Sequence, residues 1–212
     1  MTYQQAIADA LLDIGAVKFT PASPIMFKSG ILSPVYVDNR NIPYHPAAWH
    51  KIIAGFESAI QAHAITFDII AGIAVGGVPH SAALAYRMAR PSVFVRKEAK
   101  AHGTGQQVEG GNVAGKNVLL VEDLVTTGGS SLRGVEALRA AGARVDHALA
   151  IISYDMPEAK AAFSSAGVQL HTLTTFPILL QVGSERGIFS PADQAIIRAW
   201  LDDPHAWRED GQ

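Results

Sequence analysis

From Phe67 to Phe176 the chain repeats one pattern: an apolar run of strand length, a loop, then a stretch with helical spacing. The runs are FDIIAGIAV, SVFVRK, KNVLLVED, RVDHALAIISY and VQLHTLTTF, and the stretches between them include GGVPHSAALAYRMA, GGSSLRGVEALRAAGA and PEAKAAFSSAG. A strand that is apolar at nearly every position needs cover on both faces, and parallel strands joined by helical crossovers meet that need. The pattern predicts an α/β fold, a doubly wound parallel sheet.

Before this core, Ile7, Leu11, Leu12 and Ile14 recur at helical spacing and predict an opening helix stopped by Gly15. FKSGILSPVYVDNR, from Phe27 to Arg40, predicts short strands joined by a turn, and Pro43 and Pro46 introduce a helix over 47–63. FSPADQAIIRAWLDDPHAW predicts a terminal amphipathic helix with Trp200 packed or at an interface. One segment breaks the alternation. EAKAHGTGQQVEGGNVAG has few large apolar residues and several glycines, which predicts a long exposed loop of the kind that closes over a ligand.

At 212 residues, 49% hydrophobic and 17% charged, the chain can fill one sizeable core, so a single domain over 1–212 is expected. The formal net charge of -2 provides no general basic field for nucleic acid or an anionic membrane. Any anion must be held locally. The absence of cysteine excludes disulfides, thiolate chemistry and cysteine zinc sites, and suits a reducing compartment. The N-terminus lacks a basic stretch followed by an apolar run, and charged residues, Gly or Pro break every other apolar window. A cytoplasmic protein is expected. His45 and His50 stand too isolated for a metal site and read as surface or capping residues.

The chemistry concentrates in VLLVEDLVTTGGSS, Val118 to Ser131, where a buried-strand pattern runs into Glu122 and Asp123 and then into hydroxyls and paired glycines. In open parallel sheets, ligands bind where strands leave the sheet at their carboxyl ends. Glycines let the backbone approach an anion, and Thr, Ser and helix N-terminal amides donate to phosphate oxygens. Two carboxylates beside such a loop would repel phosphate unless they accept from other groups, and ribose hydroxyls are suitable donors. The combination predicts a site for a ribose 5-phosphate group; the plainer alternative is a pair of helix-capping acids followed by a turn. Neither GxxxxGK[ST] nor a strand-following GxGxxG occurs, which removes the P-loop and dinucleotide fingerprints.

VLLVEDLVTTGGSS closely resembles the phosphoribosyl pyrophosphate (PRPP) motif of type I phosphoribosyltransferases. FKSGILSPVYVDNR and RKEAKAHGTGQQVEGG, in that order before it, resemble the orotate branch of that family. The resemblance implies the type I fold with a small N-terminal hood, residues 1–45, over the base site. It implies transfer of ribose 5-phosphate from PRPP to orotate in pyrimidine biosynthesis, with Mg2+ held mainly through PRPP and no direct protein ligand. PRPP would be bound by Arg96, Lys97, Lys100, His102, Glu122, Asp123, Leu124, Val125, Thr126, Thr127, Gly128, Gly129 and Ser130. Arg96, Lys100 and His102 would be catalytic, easing departure of pyrophosphate. Lys28, Tyr36, Val37 and Thr126 would bind orotate. A homodimer is implied, with the loop from Arg96 to Gly111 shared across its interface; nucleic acid and membrane partners are not.

Two departures from the family pattern stand out. AGIAVGGVPH resembles the pyrophosphate loop but has Val75 and Gly76 where several members carry an aromatic residue and a lysine. IISYDMPEAK lacks the arginine that many orotate enzymes turn toward the pyrimidine. The missing arginine leaves open the same fold acting on a purine; a third reading, a PRPP sensor without catalysis, is disfavoured by the loop cations and by the lack of a basic nucleic-acid patch.

Overall fold

The computed structural model describes residues 2–98 and 107–208. Helix α1 (Tyr3–Asp13) opens on a capping box in which Thr2 Oγ1 accepts from Gln5 N–H and Gln5 Oε1 accepts from Thr2 N–H, each satisfying a free amide. Two small antiparallel pairs follow: β1 (Val17–Phe19) with β4 (Val35–Val37), and β2 (Ile25–Met26) with β3 (Leu32–Ser33). The turn between β2 and β3 uses Gly30 at φ +85°, a conformation that a side chain would strain. A 3-10 segment (Asn39–Tyr44), capped by Asp38, then leads into α2 (Pro46–Ala62), which has proline in its first turn.

The central sheet contains β5 (Ile69–Ile73), β6 (Ser92–Val95), β7 (Val108–Glu109), β8 (Asn117–Val125), β9 (Arg144–Ser153) and β10 (Gln169–Thr175). Its order is β10-β9-β8-β5-β6-β7, parallel throughout except for the β6–β7 pair. The chain order reverses between β5 and β8. That junction is the crevice where doubly wound sheets bind ligands. Helices α3 (Gly77–Arg87), α4 (Gly129–Ala140), α5 (Pro157–Ser165), α6 (Phe176–Glu185) and α7 (Pro191–Asp202) complete the chain. The larger core cluster gathers residues of α1, α2, α6 and α7 with Leu119, Val121, Leu149 and Ile151 of the sheet. The second gathers α4 and α5 with Leu120, Val118, Ala148 and Ala150. Consecutive strand residues thus serve opposite cores, the physical basis of the continuous apolar runs.

The structure differs from expectation at three places. The predicted long loop contains β7, whose Val108 pairs with Val95 and thereby extends the sheet edge. Strand β8 continues past Asp123 to Val125, because Leu124 and Val125 pair with Ile152 and Ser153 of β9. Strand β10 stops at Thr175, and Phe176 instead begins α6, a helix unrecognised in the sequence. FPILLQVGSE buries Phe176, Leu179, Leu180, Val182 and Gly183, so its apolar residues outnumber any clean polar face. Trp200 is fully buried; its indole N–H donates to the Leu32 carbonyl at 2.9 Å, joining α7 to the β2–β3 pair. Among the described residues, no helix is long and apolar enough to cross a membrane.

Candidate active site

A cavity of about 960 Å³ opens at the carboxyl ends of β5, β6 and β8. Its floor is the acidic end of β8. Glu122 is 5% exposed; its Oε2 accepts from Ser131 Oγ at 3.1 Å and its Oε1 from the Asp123 amide at 3.2 Å. Burial first, and then the charge of Asp123, hold the Glu122 carboxyl well above its ordinary range. Burial likewise raises Asp123. Helix α4 takes Gly128, not either acid, as its N-cap, which removes the helix-capping explanation of the pair. Carboxylates deprived of water in this way gain from any hydroxyl that donates to them.

Glycines let the rest of the floor close around these acids. A Cβ at Gly76 would lie 2.4 Å from the Asp123 carboxylate, and one at Gly77 would lie 2.5 Å from the Val121 carbonyl. Gly128 adopts φ +84° and turns the chain into α4, where Thr126, Thr127, Gly128, Gly129 and Ser130 all line the cavity. The helix N-terminus there favours an anion. Leu124 and Val125 line the same wall, although the Val125 side chain is buried in the core and its carbonyl accepts from Tyr154 N–H. Val75 stands 79% exposed at the facing strand end, after a cis peptide bond between Ala74 and Val75.

The cationic side is less enclosed. Arg96 follows β6, lines the cavity with Lys97 and Glu98, and pairs with Glu109 at 3.3 Å; its amide donates to Gln107 O at 2.9 Å. Lys100 and His102 lie outside the described residues. Two cavity-lining arginines escaped the sequence reading. Arg40 donates to Asp38 through Nε and Nη2 at 2.7 and 2.8 Å and to the Tyr36 hydroxyl at 3.0 Å, and Arg133 extends from the first turn of α4. Arg40 ends the quoted VDNR, and Arg133 stands four residues after Gly129, so a cation one helical turn beyond the phosphate loop was the available signal.

Lys28, Tyr36 and Val37 line the same cavity together with Phe27 and Met26, so the predicted base-site residues share one space with Thr126. Tyr154, from the stretch that lacks the family arginine, is 2% exposed and packs against Phe27 at 5.3 Å and Phe176 and Trp200 at 5.2 Å. Its hydroxyl lies by the Val37 backbone without a hydrogen bond of good geometry, and burial raises its pKa. Tyr154 therefore supports the wall that carries Lys28 rather than contacting the cavity. His45 precedes α2 without a side-chain capping bond, and His50 is exposed. Among the described residues, no three His, Asp or Glu side chains converge in a metal cage. The Glu122 and Asp123 oxygens are nonetheless the hard donor type that suits magnesium.

The phosphoribosyl transferase domain matches residues 40–162. Over 202 residues the chain is 39% identical to the orotate phosphoribosyltransferase of Cutibacterium acnes, covering 95% of this chain and 94% of that relative. The chain belongs to the orotate phosphoribosyltransferase family. Its fold is similar to that of the crystal structure of orotate phosphoribosyltransferase from Aeropyrum pernix, with a TM-score of 0.74 and 29% identity over 87% of this chain and 99% of that one. It is also similar to Leishmania donovani UMP synthase, with a TM-score of 0.83 and 29% identity; the match covers 94% of this chain but 42% of that longer protein. The family's α/β architecture, expected from the apolar alternation, is the architecture found.

Proposed function

We propose that the chain transfers ribose 5-phosphate from PRPP to N1 of orotate, giving orotidine 5'-monophosphate and pyrophosphate. The observation that carries this reading is the convergence in one cavity of the buried acids Glu122 and Asp123, the glycine turn into α4, and the wall bearing Lys28 and Tyr36. Glu122 and Asp123 accept the ribose hydroxyls, and Thr126 to Ser130 with the α4 N-terminus hold the 5'-phosphate. Lys28, Tyr36, Val37 and Thr126 orient orotate, whose carboxylate is matched by the lysine charge.

In the reaction, the bond from the anomeric carbon to pyrophosphate breaks, the bond to N1 forms, and N1 gives up its proton. Positive charge develops on the sugar and negative charge on the leaving group, so preorganised charges of opposite sign lower the barrier. Arg96, Lys97, Lys100 and His102 serve the leaving group, and the buried acids face the sugar. Magnesium, carried mainly by PRPP, offsets diphosphate charge when bound. Closing of the Arg96 to Gly111 segment over the reactants would exclude water from the activated sugar. A cytoplasmic homodimer sharing that segment completes the proposal.

The test is the fall in ultraviolet absorbance of orotate on mixing with PRPP, magnesium and protein. A decrease requiring all components is expected. Pyrophosphate release with a purine and none with orotate would overturn the base assignment while retaining the PRPP site.

A further inference from the structure

Strand β8 loses one neighbour before it reaches the acids. Its pairing with β5 ends where Val121 meets Gly72, because the chain of β5 turns away into α3. Asp123 lies two residues beyond that point, and its carbonyl is met instead by a side chain from the N-terminal part of the chain. Asn39 Nδ2 donates to Asp123 O at 2.8 Å, across 84 residues of sequence. The carbonyl can only accept, so the amide must present its NH2 group there.

Asn39 is itself held in place. It is 1% exposed, at the start of the 3-10 segment and directly between Asp38 and Arg40 of the cavity wall. The fully buried His80 of α3 lies against its backbone, and His80 Nδ1 accepts from the Trp49 indole of α2 at 3.1 Å. That bond leaves the ring proton on Nε2, which is buried without a hydrogen-bond partner of good geometry. Two helices thus back the residue that replaces a missing ladder bond.

We infer that Asn39 is a positioning residue for PRPP: its amide fixes the main chain that aims the Asp123 carboxylate at the ribose. This inference rests on the assignment of Glu122 and Asp123 to the ribose hydroxyls. Asn39 touches neither substrate in this account. It acts through Asp123, and it ties the base-side wall to the sugar-side floor.

The experiment compares Asn39→Ala, Asn39→Asp and Asp123→Asn in steady-state assays with PRPP and orotate varied separately, with circular dichroism to check the fold. Asn39→Asp keeps the shape but, when ionised, lacks the donor. Leaving a buried carbonyl unpaired corresponds to roughly a 10-fold rise in the KM for PRPP in both Asn39 variants, with the orotate KM changed less than about 2-fold. If Asp123→Asn raises the PRPP KM and neither Asn39 variant does, the inference is overturned and the ribose assignment stands. If Asp123→Asn leaves it unchanged, the ribose assignment itself fails. A residue needed only for folding would lower the active fraction at unchanged KM, and that result also counts against the inference.

Discussion

The ends of β8 and β6 lie on opposite sides of β5, yet they are built in contrasting ways. Glu122 sits in the sheet interior at 5% exposure with Ser131 and the Asp123 amide bound to its oxygens. The Arg96 side chain, beside the two-residue edge strand β7, is 40% exposed and pairs with the half-buried Glu109. Burying like charges costs stability, whereas a solvated cation near the sheet edge costs little. The floor is thus built into the fold at a cost in stability, whereas the rim, on the proposed function, would supply charge whose value appears only when a leaving group removes water from it.

The largest expected effect concerns the cationic segment that follows Arg96 in the sequence. Lys100→Ala should lower kcat by about 100-fold or more, the scale of removing one preorganised transition-state donor, while the melting temperature stays unchanged. A variant with near-normal turnover would sink the assignment of the cationic segment.

At the floor, function and stability should move in opposite directions. Glu122→Gln should raise the KM for PRPP by about 10-fold, the size of one charge-assisted hydrogen bond, and also raise the melting temperature. The sign follows from the raised pKa of Glu122. The folded state holds that proton more tightly than the unfolded state, so stability is lost as pH rises through the ordinary carboxylate range toward the folded value, and glutamine removes the loss. Thermal melts at pH 8 decide it, and a lower melting temperature for the glutamine variant would refute the idea that the pair is held at a cost.

A smaller change targets the closeness of the floor. The methyl of Gly76→Ala would sit 2.4 Å from the Asp123 carboxylate, whose side chain must then swing aside. About a 5-fold rise in the PRPP KM with little change for orotate is expected, on the scale of one weakened hydrogen bond. Equal changes for both substrates would argue that Gly76 shapes the whole cavity instead.

The mildest effect is on the support behind the floor. Burial pulls the His80 pKa down from 6.5 to about 4. Between those values the unfolded chain takes up a proton that the folded protein refuses, so stability falls as pH drops below 6.5 until about 4. Urea unfolding should show His80→Gln relieving about 1 kcal/mol of this fall at pH 5.5 relative to pH 7. An equal pH dependence in the two proteins would place the histidine's proton elsewhere.

Much of the site was legible because its pieces are contiguous. VLLVEDLVTTGGSS carries the strand, acids, hydroxyls and helix entry within one stretch, and the structure brings Lys28, Tyr36, Val37, Arg96 and Lys97 to the same cavity. Arg40 and Arg133 were missed because each has a plain alternative as a solvated helix or turn cation. Strand β7 was missed because two residues carry no measurable alternation, and α6 because a helix buried on most sides shows no polar stripe.

The α/β alternation, the two-sided core and the run of acids, hydroxyls and glycines at the end of β8 were all set locally in the sequence, since backbone periodicity and short-range spacing are local properties. Packing in three dimensions was needed to bring Asn39 to β8, to join Tyr154, Phe27 and Trp200 in one aromatic support, and to bury Glu122 while leaving Arg96 partly exposed. Those partners stand tens of residues apart and follow no period. They meet because the packing of helices on the sheet, not the order of residues along the chain, sets which groups lose water together.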